Sequence, residues 1–92
     1  MSELQGRRFV VKGRVQGVGF RWWSVREARR RGIVGTVRNR GDGSVEIEAT
    51  GDEASVAGFA AALEHGPPTA RVDAVEMEVV TPSGSVEFRV LR

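Results

Sequence analysis

The run Arg8-Phe9-Val10-Val11-Lys12-Gly13-Arg14-Val15-Gln16-Gly17-Val18-Gly19-Phe20-Arg21 changes its hydrophobic period part-way along. As far as Val15 it alternates, with Phe9 and Val11 on one face and Arg8, Val10, Lys12 and Arg14 on the other, the pattern of a strand with one face buried. Residues 15–20 carry Gly17 and Gly19 and read as a tight turn. Residues 21–31 are helical in composition, with Val25 and Ala28 three apart and Glu27 four before Arg31, and Gly32 stands where such a helix would stop.

Further along, residues 33–40 and 44–50 both alternate, and Gly41-Asp42-Gly43 between them supplies the turn of a β-hairpin. Val37 and Asn39 share one face and Thr36, Arg38 and Arg40 the other, while Val45, Ile47 and Ala49 point inward and Glu46 and Glu48 outward. Residues 52–65 place Val56, Phe59, Ala60 and Leu63 at helical spacing, with Thr50 or Asp52 as cap and Gly66-Pro67-Pro68 as terminator. In residues 71–80, Val75, Met77 and Val79 alternate with Glu76 and Glu78. After a turn at residues 82–84, residues 86–91 make a last strand with Phe88 and Val90 inward.

The order is β-α-β-β-α-β with an extra C-terminal strand. It predicts an α+β, ferredoxin-like sandwich in which two helices cover one face of an antiparallel sheet and charged residues cover the other. A helical crossover makes the first two strands parallel, with the third fitted between them, so their C-terminal ends share one sheet edge. The turn at residues 15–20 and Asn39 are therefore expected to be neighbours in space.

Composition narrows the possible chemistry. With 92 residues, 40% hydrophobic and 28% charged, the chain reads as a single domain over 1–92, too short for two cores and too apolar for disorder. It has no Cys and one His, which excludes a disulfide framework and a thiolate nucleophile and argues against a zinc site. Residues 1–8 contain no apolar leader, and no run approaches the ~18 apolar residues of a membrane span, so the expectation is a soluble cytoplasmic protein without a membrane partner; separately, a monomer is expected. Eleven basic and four acidic side chains fall in residues 1–46, against three and eight in residues 47–92. Such asymmetry means an anion site in the first half, arginines paired with the acids of the second, or both.

Two places could carry chemistry. Gly17 and Gly19 allow positive φ and close approach to a ligand, and the turn opens into a helix whose first amides have no internal partner, an arrangement suited to phosphate. Arg21 adds a planar fork of donors that matches two phosphate oxygens. The Gly-Lys-Ser/Thr ending of a P-loop is absent. Asn39 shares the face of Val37, where an amide without a partner would cost about 1–3 kcal/mol, so it calls for a partner or a ligand. Spacing alone also accommodates a plain strand-to-helix turn with a solvated Arg21, and a strand-end Asn39 bonded to the following turn.

The segment from Val11 to Arg21 resembles the first signature of the acylphosphatases. Gly35-Thr36-Val37-Arg38-Asn39-Arg40-Gly41-Asp42-Gly43-Ser44-Val45, running on to Gly51, is similar to their second. The likeness continues through Gly66-Pro67-Pro68 and the terminal strand. It implies a ferredoxin-like enzyme that hydrolyses the carboxyl–phosphate bond of a small-molecule acyl phosphate, with no cofactor and no metal. It further implies that Arg21, with the backbone amides of Gln16, Gly17, Val18, Gly19 and Phe20, binds the phosphate, and that Asn39 holds the attacking water. Thr36 stands where the family usually carries a large aromatic, and Arg31 where it usually carries Leu; neither touches the expected catalytic pair.

The remaining residues have simpler readings. One of Trp22 and Trp23 should pack inward and the other lie along the helix, where it could also meet an acyl group or a base. Arg29, Arg30 and His65 suit helix C-termini, Asp42 shapes its turn, and Lys12, Arg38 and Arg40 pair across strands with Glu46, Glu48, Glu76 and Glu78. The competing functions are an RNA-binding module of the same fold and a catalytically silent domain acting by protein contact. The outward sheet positions hold Lys12, Glu46 and Glu48 rather than stacking aromatics, which weighs against nucleic acid as a partner.

Overall fold

The computed structural model describes residues 3–92. Its elements are β1 (Gln5–Arg14), α1 (Phe20–Arg30), β2 (Val34–Asn39), β3 (Val45–Gly51), α2 (Glu53–His65), β4 (Arg71–Val80) and β5 (Phe88–Val90). The five strands form one sheet in the order β4-β1-β3-β2-β5. The first four pair antiparallel as the ferredoxin-like plan requires, and β5 runs parallel to β2, making the sheet mixed.

The alternation of β1 and β3 is realised in their register. Phe9 stands opposite Ile47 and Val11 opposite Val45, all four side chains fully buried beneath the helices. α2 contributes Val56, Phe59 and Leu63, with the Phe59 ring edge-on to Phe9 at 6.2 Å and to Phe88 at 5.9 Å. Each such buried side chain supplies about 1.5–3 kcal/mol of transfer free energy. α1 buries Phe20, Ser24, Val25 and Ala28, and the Ser24 hydroxyl is satisfied by donating to the Arg21 carbonyl at 2.7 Å.

Helix ends follow the sequence signals. Gly32, at φ +71°, ends α1 with its N–H bonded to Arg29 O, while Ile33 N–H reaches Ala28 O at 2.8 Å, the paired bonds of a Schellman stop. Asp52, not Thr50, caps α2: its Oδ1 accepts from the Ser55 N–H at 2.7 Å. Thr50 lies in β3, and its hydroxyl accepts from Ser83 N–H.

On the open face Arg8 pairs with Glu48 and Glu78, Lys12 with Glu76, and Arg38 with Glu46. Along β4, Met77 and Val79 stay 56% and 72% exposed, because β4 is an edge strand and only Val72 and Val75 reach the packed core. Neither described helix is long and apolar enough to cross a membrane.

Candidate active site

Val15 and Phe20, each 1% exposed, anchor the two ends of the turn, leaving residues 16–19 to bridge β1 and α1. Gly17 and Gly19 adopt φ +75° and +82°, a region that glycine enters without steric cost. Nothing lies within 4 Å of where a Cβ would stand on either, so these positions demand a backbone shape and leave the space before them open. Gly13 and Gly35 differ: a Cβ there would run into the carbonyls of Arg71 and Glu48. Gly13 also follows a register shift, where β4 carries one extra residue, Asp73, before the ladder resumes with Gly13 opposite Val72.

The two helix N-termini contrast sharply in how their amides are met. α2 begins on Asp52, whose carboxylate accepts an amide of its first turn and whose pKa is held below the usual range by that backbone bond. α1 begins on Gly19, with no side-chain cap and no acidic residue in its first turn. The Trp23 N–H makes the first intrahelical bond, to Gly19 O at 3.0 Å, so the amides of Phe20, Arg21 and Trp22 precede the ladder. The helix dipole concentrates partial positive charge at this end. Arg21, half-buried in the same turn, brings a full one.

Side chains clasp this loop from both sides. Gln16 Nε2 donates to the carbonyls of Arg40 at 2.7 Å and Ser44 at 2.9 Å, which belong to the hairpin turn after β2. On the other side the Thr69 hydroxyl donates to the Val18 carbonyl at 2.7 Å. Neither contact is among the expectations from sequence, where Gln16 entered for its backbone amide and Thr69 not at all. A Gln inside a glycine-rich turn is the only local sign of the first. The second depends on a residue 51 positions away.

Asn39 ends β2 opposite Val45, which on its other side faces Val11, so the three form one row across β2, β3 and β1. Two interstrand steps separate Asn39 from Val11 by about 10 Å. The shared edge of β1 and β2 is thus observed, with the Gln16 clasp joining its two loops. Asn39 itself is exposed, so its amide meets solvent and carries no desolvation cost, and the demand for a protein partner does not arise. Asp42 shapes the neighbouring turn by accepting from the Ser44 hydroxyl and the Ser44 N–H, and these bonds hold its pKa below the usual carboxylate range.

Trp23 packs on Phe20 at 5.2 Å, whereas Trp22 is 61% exposed beside Arg21. Arg31 folds back toward Gly58 of α2, where its Nε is buried without a partner. Among the described residues no three His, Cys, Asp or Glu side chains are grouped as a metal site.

Comparison with known proteins gives the same architecture. The sequence profile of the acylphosphatase family, described as "Acylphosphatase", matches residues 7–90. An acylphosphatase of Nitrobacter hamburgensis is 51% identical over 83 residues, covering 90% of this chain and 84% of the relative. One from Anaeromyxobacter dehalogenans is 48% identical over 86 residues, covering 94% and 92%. The crystal structure of acylphosphatase from Bacillus subtilis superposes with a TM-score of 0.93 at 37% identity, covering 98% of this chain and all of the other. With two glycines shaping an uncapped helix N-terminus that carries Arg21, and with likeness along nearly its whole length, this chain belongs to the acylphosphatase family.

Proposed function

We propose that the protein hydrolyses the carboxyl–phosphate bond of acyl phosphates, releasing a carboxylate and inorganic phosphate, as a cytoplasmic monomer. The observation that carries this reading is the α1 N-terminus, which lacks any acidic cap and carries Arg21 in its first turn. A dianionic phosphoryl group fits that vacancy of negative charge.

The chemistry suits so small a site. The leaving carboxylate has a low pKa and needs no strong general acid, and a loose phosphoryl transition state asks mainly for positioning and charge stabilisation. Arg21 and the amides of residues 16–20 stabilise the phosphoryl oxygens as charge shifts onto them. Asn39, across the sheet edge, holds the water in line with the breaking bond and lowers the entropic part of the barrier.

RNA binding finds less support. The open sheet face is filled by paired charges, and all four phenylalanines, Phe9, Phe20, Phe59 and Phe88, are buried in the core.

Hydrolysis of benzoyl phosphate in the presence of EDTA tests the function. The wild type should turn over, while Arg21→Gln and Asn39→Ala should each lose about 10²-fold or more in kcat. Unchanged turnover in both variants would overturn the assignment of these residues. An inactive wild type would overturn the activity itself.

A further inference from the structure

We propose that Thr69 is a positioning residue for the anion loop, and that its hydroxyl keeps the Gly19 N–H turned toward the phosphoryl group; this rests on the reading that the loop binds phosphate. The peptide unit between Val18 and Gly19 is planar and trans, so its carbonyl and its N–H point in opposite directions. The carbonyl end is engaged: Val18 O accepts from Thr69 Oγ1 at 2.7 Å. Thr69 lies two residues before β4, which flanks β1 on one side, whereas Arg40 and Ser44, which hold Gln16, belong to the hairpin on the other. A Val18 carbonyl drawn toward the β4 side leaves the Gly19 N–H facing the side of the sheet edge where Asn39 ends β2.

This peptide needs such a restraint. A half-turn rotation exchanges its N–H for its carbonyl and changes only Val18 ψ and Gly19 φ. Gly19, now at φ +82°, accepts the corresponding negative value equally well because it has no Cβ. The rotated form would aim a carbonyl dipole at the anion. A glycine that permits the binding conformation thus also permits its inverse, and the Thr69 bond favours the first.

The donor is rigidly mounted. Pro67 and Pro68 precede Thr69 in a turn closed by Ala70 N–H to Pro67 O at 3.0 Å, and Pro67 is buried. Pro68, in the second position of that turn, has its φ set by its ring. The hydroxyl is therefore presented from a short frame with little freedom of its own.

The test follows the Gly19 amide by NMR while inorganic phosphate is titrated into the wild type, Thr69→Val and Thr69→Ser. Loss of one hydrogen bond of ordinary net strength predicts that Thr69→Val needs about five-fold more phosphate for half of the Gly19 shift, with Thr69→Ser restoring the wild-type curve. In parallel, Thr69→Val should raise KM for benzoyl phosphate by a similar factor with a smaller change in kcat. Coincident titrations for wild type and Thr69→Val, or failure of Thr69→Ser to restore binding, would overturn the role of Thr69. Because the titration reads binding alone, it answers this question even if the wild type does not hydrolyse benzoyl phosphate.

Discussion

Gln16 Nε2 lies 2.7 Å from the carbonyl oxygen of Arg40, the residue that follows Asn39, so the loop at the head of α1 and the end of β2 are joined by a side chain from the loop itself. The same amide group reaches Ser44 O at 2.9 Å and grips both ends of the hairpin turn. In the proposed mechanism, the spacing between a phosphate on the loop and a water at Asn39 would be set by this one side chain.

Removing that clasp should impair chemistry more than folding. Gln16→Ala is expected to lower kcat on benzoyl phosphate about ten-fold through misplacement of the two loops, with a stability loss of about 0.5–1.5 kcal/mol. Steady-state kinetics and urea denaturation check the two parts; unchanged kcat would show that backbone bonds alone hold the spacing.

Arg21→Lys separates charge from geometry. Lysine keeps the positive charge but offers a point contact in place of a planar fork, so kcat/KM should fall by about 10²-fold. Near-normal kinetics in the variant would show that charge alone suffices at this position.

Gly58→Ala should stabilise the protein. Gly58 lies inside α2, where glycine costs up to about 1 kcal/mol relative to alanine. The added Cβ would come within 3.2 Å of Arg31 Nη1, the far end of a flexible side chain whose buried Nε already lacks a partner. Displacing it costs little, and a gain of about 0.5 kcal/mol is expected from thermal melts. A lower melting temperature would mean that the Arg31 packing matters more than the helix propensity.

Stability should fall in acid. The Arg38 hydrogen bond holds Glu46 below the usual carboxylate range, the Ser44 hydroxyl does so for Asp42, and the Ser55 N–H for Asp52. With folded values depressed, the unfolded chain binds more protons, so the contribution is complete above the unfolded pKa of about 4 and is lost as pH drops through the folded values. Melting temperature is expected to be level from pH 7 to about 5 and to decline below about 4. Asp52→Asn, which still offers an oxygen but cannot ionise, should weaken that decline; a melting temperature that rises in acid would contradict the assignment.

Much of this was readable from local pattern. Alternation in Phe9 and Val11, helical spacing of Val56, Phe59 and Leu63, and the glycines at 17, 19 and 32 report forces acting within a few residues, and the elements formed as they require. The exposure of Met77 and Val79 was not readable, because alternation states which face a residue shares but not how far a neighbouring helix extends over it. Asn39 shows the same limit: it shares the face of Val37 yet stands in solvent.

The sequence by itself determined the order of elements, the positive-φ glycine turn at the head of α1, the charge of Arg21 and, through the parallel sense that a helical crossover imposes, the placing of the C-terminal ends of β1 and β2 on one sheet edge. Each depends on dihedral preference, hydrophobic period or chain connectivity, which are properties of neighbouring residues. Only the tertiary structure decided that Gln16 would bind the hairpin carbonyls, that Thr69 would hold the Val18 carbonyl, and that Asp52 rather than Thr50 would cap α2. Hydrogen bonds act over about 3 Å, so their partners are settled when the packed core brings distant backbone into range.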